Sequence, residues 1–149
     1  DADSNKVRAY PAKGLKVPLY ILGSSTESAY LAAQMGLPYA FASHFAPRFL
    51  TQAVQIYRNH FQPSAVLDTP KVIVGVNAFV ADTDAEAEFL ASTSLQFFLN
   101  IVTGQRSGMK PPATDVTAHI PAHIVQMADS MMSCRLLGSA KPVAERLEQ

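Results

Sequence analysis

The stretch 19–45, LYILGSSTESAYLAAQMGLPYAFASHF, constrains this chain more than any other. An apolar run, a Gly-Ser turn, an alanine-rich segment, a Gly-Leu-Pro return and a second apolar run follow in close succession. That order is a βαβ unit, with the hydroxyl-bearing turn Gly23-Ser24-Ser25 at the carboxyl end of its first strand. Residues 16–22 read as a short strand, with Pro18 near its start, where a missing ladder donor is tolerated. A near-continuous apolar strand of this kind is covered on both faces, as in parallel sheets. The helix begins near Ser25 or Thr26, with a capping hydroxyl and Glu27 in its first turn. Gly36 stops it, and residues 39–45 form the second strand.

The same alternation continues downstream. Pro47 opens a helix with Leu50, Ala53, Val54, Tyr57 and Phe61 at helical spacing. Residues 71–81, KVIVGVNAFVA, are the third strand and the most β-branched part of the chain. Thr83 and Glu86 make a capping box before a helix that ends at Gly104. Residues 105–117 read as a loop, and a Met-rich helix follows from Pro121 to about Cys134. Residues 136–139 turn the chain, and a last helix begins at Lys141. The polar segment 1–16 is an approach loop or arm with a short extended piece near 7–10. All 149 residues read as a single domain of α/β class, with a parallel sheet and right-handed crossovers. Three strands are too few for a free-standing sheet, because both edges and one face stay open.

Composition narrows the partners. Twelve basic and twelve acidic residues cancel, and no stretch concentrates Lys and Arg, so nucleic acid is not expected as a partner. No apolar run approaches the ~20 residues that span a bilayer, and the start lacks signal-peptide character, so no membrane partner is expected. One cysteine, Cys134, excludes an internal disulfide and suits a reducing cytoplasm. A chain that starts at Asp1 rather than Met is expected to be a processed or truncated piece.

The chemistry concentrates in Gly23, Ser24, Ser25 and Ser28. A phosphate dianion needs converging donors without a side chain in the way. A glycine permits close backbone approach, serines add hydroxyls, and a helix N-terminus adds free amides and a favourable dipole. A simple helix N-cap with a glycine-relieved turn explains the same residues, so from spacing alone both readings stand open. Ser43, His44 and Phe45 end the second strand on the same side. By residue type alone, His44 reads as a histidine satisfied by backbone at a strand end. Asn77 interrupts an apolar strand, so its amide needs a partner, either in a pocket or, more simply, inside the sheet's own packing. His119 and His123 stand four apart, but Pro121 separates them and no Glu follows His119 as an HExxH motif requires, so no metal site is expected. Met127, Met131 and Met132 read as packing, and Cys134 as a structural thiol.

The run ILGSSTESAYLAAQMGLPYAFASHFAP resembles the central signature of the luciferase-like, flavin-dependent monooxygenases, and within them the MsnO8-type branch. VRAYPAKGLKVPLYILGSS, KVIVGVNAFVADTDAEAEFL and RLLGSAKPVAERLE are similar to that branch in the same order. The resemblance implies a partial (β/α)8 TIM barrel, the carboxyl-terminal half only, with about three parallel strands and an end before the last strand. It implies reduced FMN as cofactor, with oxygen and a small organic molecule as co-substrates. It places the flavin phosphate on Ser24, Ser25 and Ser28, and His44 beside the flavin or substrate. An open half-barrel exposes apolar strand faces, so a chain of this kind is expected to form a homo-oligomer. As a fragment, it is expected to be inactive alone. The alternative is a noncatalytic flavin- or phosphate-binding half-barrel that self-associates.

Overall fold

The computed structural model describes residues 14–148, so the extended piece near 7–10 lies outside the described residues. Strand β1 (Ile21–Gly23) leads through Ser24 and Ser25 into helix α1 (Thr26–Met35) and strand β2 (Tyr39–Phe41). A single 3-10 turn, Pro47–Phe49, feeds helix α2 (Leu50–His60), which returns to strand β3 (Val72–Val74). Strand β4 (Asn77–Ala81), helix α3 (Asp84–Val102), helix α4 (Ala122–Met131), strand β5 (Arg135–Ser139) and helix α5 (Ala140–Leu147) complete the order.

Every strand pairing among the described residues is parallel, as the βα alternation requires. β1, β2 and β3 form one sheet with Ile21, Tyr39 and Val72 in register, and β4 pairs β5 in a second. The two small sheets do not close into a barrel among the described residues.

Two cores are formed among the described residues, one against the first sheet and one between α3 and α4. In the first, Ala29, Ala32 and Ala33 make a fully buried stripe along α1 at the spacing of one helix face. Side chains this small let α2 approach closely with Ala53 and Tyr57. The Tyr57 ring lies 5.4 Å from Tyr39 and 5.6 Å from Phe61. Its hydroxyl donates to the Leu37 carbonyl at 2.9 Å and accepts the Lys71 amide at 3.1 Å, so it ties the helix return to the entry of β3. The second core gathers Phe98 and Leu99 from α3 with Ala128 and Met132 from α4 and its end. Asp84 at the start of α3 accepts the Ser139 amide at 2.6 Å, which joins this helix to the end of β5. That amide, and then the Ser139 side chain, hold the Asp84 carboxyl below its usual range.

Four expectations about the elements need correction. Residues 16–20 are not strand: pairing starts only at Ile21, whose amide reaches the Pro38 carbonyl, because β2 begins at Tyr39 and offers nothing earlier. β2 stops at Phe41, and residues 43–45 form a turn in which the Phe45 amide returns to Ala42. Residues 71–81 are two strands rather than one, because Gly75 donates its amide back to Phe41 and the backbone then leaves the first sheet. Residues 136–139, expected as a turn, lie within β5, because β4 supplies a parallel partner from Asn77 to Ala81. The strand count therefore exceeds three, and a parallel strand stands where the chain was expected to have ended its sheet.

Candidate functional site

The carboxyl ends of β1, β2 and β3 lie on one edge of their sheet, since all three run parallel. Three short segments leave from that edge: Gly23-Ser24-Ser25, the turn 42–46, and Gly75-Val76. Backbone bonds join them side by side, the Ala42 amide to the Gly23 carbonyl at 2.9 Å and the Gly75 amide to the Phe41 carbonyl at 3.1 Å.

Ser25 is the N-cap of α1 and Ser28 completes a reciprocal capping box. The Ser28 amide donates to Ser25 Oγ at 3.3 Å, and the Ser25 amide donates to Ser28 Oγ at 3.4 Å. Ser28 Oγ donates to the Ser25 carbonyl at 2.8 Å, and it sits 3.0 Å from the hydroxyl of Tyr39. Ser28 therefore points inward. A Cβ at Gly23 would overlap the Ser28 side chain, so the glycine is required by this inward packing. Ser24 carries the exposed hydroxyl of the turn.

Glu27 adds a carboxylate at the same helix start. Its own amide first, and then the Ser25 hydroxyl, hold it below the usual carboxylate range. A helix start with free amides and a hydroxyl favours a negative charge placed there.

Ser43 is fully buried, and its hydroxyl donates to the Gly75 carbonyl. His44 lies half-buried beside it, its ring 4.5 Å from that of Phe45. A Cβ at Gly75 would stand 2.9 Å from His44 Nδ1, so the imidazole rests directly on the glycine. Beyond this turn, a cleft of about 480 Å³ opens between Phe45, Arg48 and Phe49 on one side and Val102, Met127 and Met131 on the other.

The remaining candidates are spread over the later elements. Asn77 is the first residue of β4, paired with Arg135. His119 is in a turn, and His123 is on α4. Met132 is buried in the second core and Met131 packs against it, whereas Met127 is exposed and lines the cleft. Cys134 is half-buried between α4 and β5.

The profile of the luciferase-like monooxygenase family matches residues 2–149. The chain belongs to that family. YvbT, an uncharacterised protein of Bacillus subtilis (strain 168), is 42% identical over 144 residues, which is 97% of this chain and 43% of the relative. A luciferase-like monooxygenase of Escherichia coli (strain K12) is 48% identical over 106 residues, 71% of this chain and 32% of that protein. The crystal structure of apo-MsnO8 superimposes with a TM-score of 0.77 at 29% identity, over 97% of this chain and 44% of that one. The chain thus spans less than half the length of these relatives.

Within this luciferase-like chain, Tyr39 and Gly75 escaped a reading by residue type. The signal for Tyr39 was a hydroxyl in a strand whose neighbour is Phe41, since a buried phenol needs a partner. The signal for Gly75 was a glycine inside a strand pattern, which marks a break or a close approach.

Proposed function

We propose that this chain supplies the flavin-phosphate-binding part of a flavin-dependent monooxygenase, built as half of a (β/α)8 barrel. The observation that carries this reading is the Gly23–Ser28 turn, at the carboxyl edge of a parallel sheet in a luciferase-like chain. Active sites of such barrels lie at that edge. The donor set suits a phosphate: an exposed Ser24 hydroxyl and a helix terminus whose donors lower the Glu27 carboxyl, on a turn shaped by the Ser25–Ser28 capping box. FMN, when bound in reduced form, would supply electrons and the oxygen chemistry for oxidising a small organic substrate.

The chain's own residues position and shield. Ser24 and the first amides of α1 hold the phosphate, with Ser25 and Ser28 shaping the turn around it. His44, on the turn after β2 at the same edge, would hydrogen-bond flavin or substrate. No general acid or base is assigned. The half-buried single thiol suits a cytoplasmic protein.

A second reading is a noncatalytic, self-associating half-barrel. The exposed apolar row of Leu22 and Ile73, aligned through Ala40 on the face opposite the first core, favours it. Fluorescence titration with FMN and with riboflavin tests the phosphate site. Preference for FMN that disappears in Ser24→Ala/Ser25→Ala is the expected result, and equal binding of both flavins would sink it. Substrate-dependent consumption of NADH and oxygen, with a flavin reductase present, separates enzyme from binding module.

A further inference from the structure

Tyr39 is fully buried at the start of β2, yet its hydroxyl reaches the first turn of α1. It donates to the Ser25 carbonyl at 3.1 Å and lies 3.0 Å from Ser28 Oγ. With the 2.8 Å bond from Ser28 Oγ to the same carbonyl, the three oxygens form a closed triangle. Two hydroxyl protons can fill only two of its three edges at a time, and the Ser25 amide supplies a further donor to Ser28 Oγ. The ring cannot swing away, because Phe41 and Tyr57 pack against it at 6.1 and 5.4 Å. Gly23 closes the other side of the Ser28 hydroxyl, where a Cβ would collide with it.

Building this triangle requires a tyrosine on a strand to match a serine eleven residues earlier on a helix. A capping box by itself needs no such partner. Loss of the phenol would leave the Ser25 carbonyl still satisfied by Ser28 Oγ and the Ala29 amide. The phenol is therefore surplus to hydrogen-bond accounting, and its effect is on geometry: it fixes the Ser25 peptide and hence the direction in which Ser24 and the first free amides face.

We propose that Tyr39 is the positioning residue of the phosphate turn, acting through Ser28 and Ser25. Ser24 and the amides of α1 are then the groups that touch the phosphate, while Ser28 is a brace. This assignment rests on the phosphate-binding reading of the turn, and it divides the serines of that turn into two kinds.

Affinities of the whole chain for FMN and riboflavin, measured by fluorescence for Tyr39→Phe, Ser28→Ala and their double variant, test it. Each single change is expected to weaken FMN roughly fivefold or more, the worth of one neutral hydrogen bond, and to leave riboflavin unchanged. The double variant should be no worse than either single one, because both break the same triangle. Ser24→Ala combined with Tyr39→Phe should instead be worse than either. A parallel loss of both flavins would mean a general structural defect and would overturn the proposal. So would unchanged FMN affinity in both single variants, or additive losses in the double one. If the unaltered chain binds FMN no better than riboflavin, the reading of the turn fails and the positioning role falls with it.

Discussion

Ser43 and Gly75 are joined by a buried hydrogen bond from the serine hydroxyl to the glycine carbonyl. That bond clips the turn after β2 to the break between β3 and β4, and it seats His44 against the Gly75 backbone. Neither residue has a side chain suited to acid–base chemistry. Their value lies in where they hold the residue between them in space.

Gly75→Ala should therefore displace the His44 ring, since the new methyl would come within 2.9 Å of Nδ1 and 3.3 Å of Cε1. The cost should be about 1–3 kcal/mol, as for other overpacked sites. Urea titration checks this, with the midpoint lowered and the slope unchanged. In the His44→Ala background the same substitution should cost much less, because the obstructing ring is gone. Equal costs in both backgrounds would show that the contact is not what the glycine serves.

Alkaline pH should weaken the fold through Tyr39 and Tyr57. Burial pushes both phenols above their ordinary value of 10.0, against the smaller opposing pull of Ser28 and the Lys71 amide respectively. A raised folded-state value means that the unfolded chain loses these protons first. Their contribution is complete below pH 10 and is lost as pH rises through the folded-state values. Urea midpoints measured upward from pH 8 should stay level and then fall above about pH 10. Tyr39→Phe/Tyr57→Phe should flatten that fall, and an unchanged profile would refute the assignment.

Glu27 should compete with a bound phosphate, because its carboxylate draws on the same helix-terminal amide and the Ser25 hydroxyl. Glu27→Gln is expected to tighten FMN several-fold at low salt, with a smaller gain at high salt as screening grows. Riboflavin, which lacks the phosphate, should bind equally to both forms. Weaker FMN binding by the glutamine variant would place the phosphate away from this helix start.

The apolar row opposite the first core should drive association. Leu22 is 72% exposed and Ile73 is 43% exposed, in register through Ala40 on one face. At micromolar concentration, sedimentation is expected to show species heavier than one chain, and Leu22→Glu/Ile73→Lys should return them to monomer. A clean monomer of the unaltered chain would count against any role for this face in assembly.

Local patterns made much of this molecule legible. The Ser25 cap, the Gly36 stop in left-handed conformation, Pro47 at the entry to the second helical segment and Thr83 before α3 stand where residue chemistry puts them. Each is decided within about four residues, so a linear reading suffices. The parallel sense of the strands follows as well, since short βα connections allow little else. β5 was not legible, because a Leu-Leu-Gly-Ser run becomes strand only when β4, over fifty residues earlier, offers its edge.

The amino-acid sequence alone determined a βαβ unit with serines at a helix start, and through its signature the luciferase-like family. Which serine faces outward was decided by tertiary structure. Ser28 turns inward because Tyr39 arrives from the neighbouring strand and Gly23 leaves room, and Ser24 remains as the exposed hydroxyl. Hydroxyl direction depends on partners that are distant in the chain and adjacent only once the sheet has formed, so no local pattern encodes it.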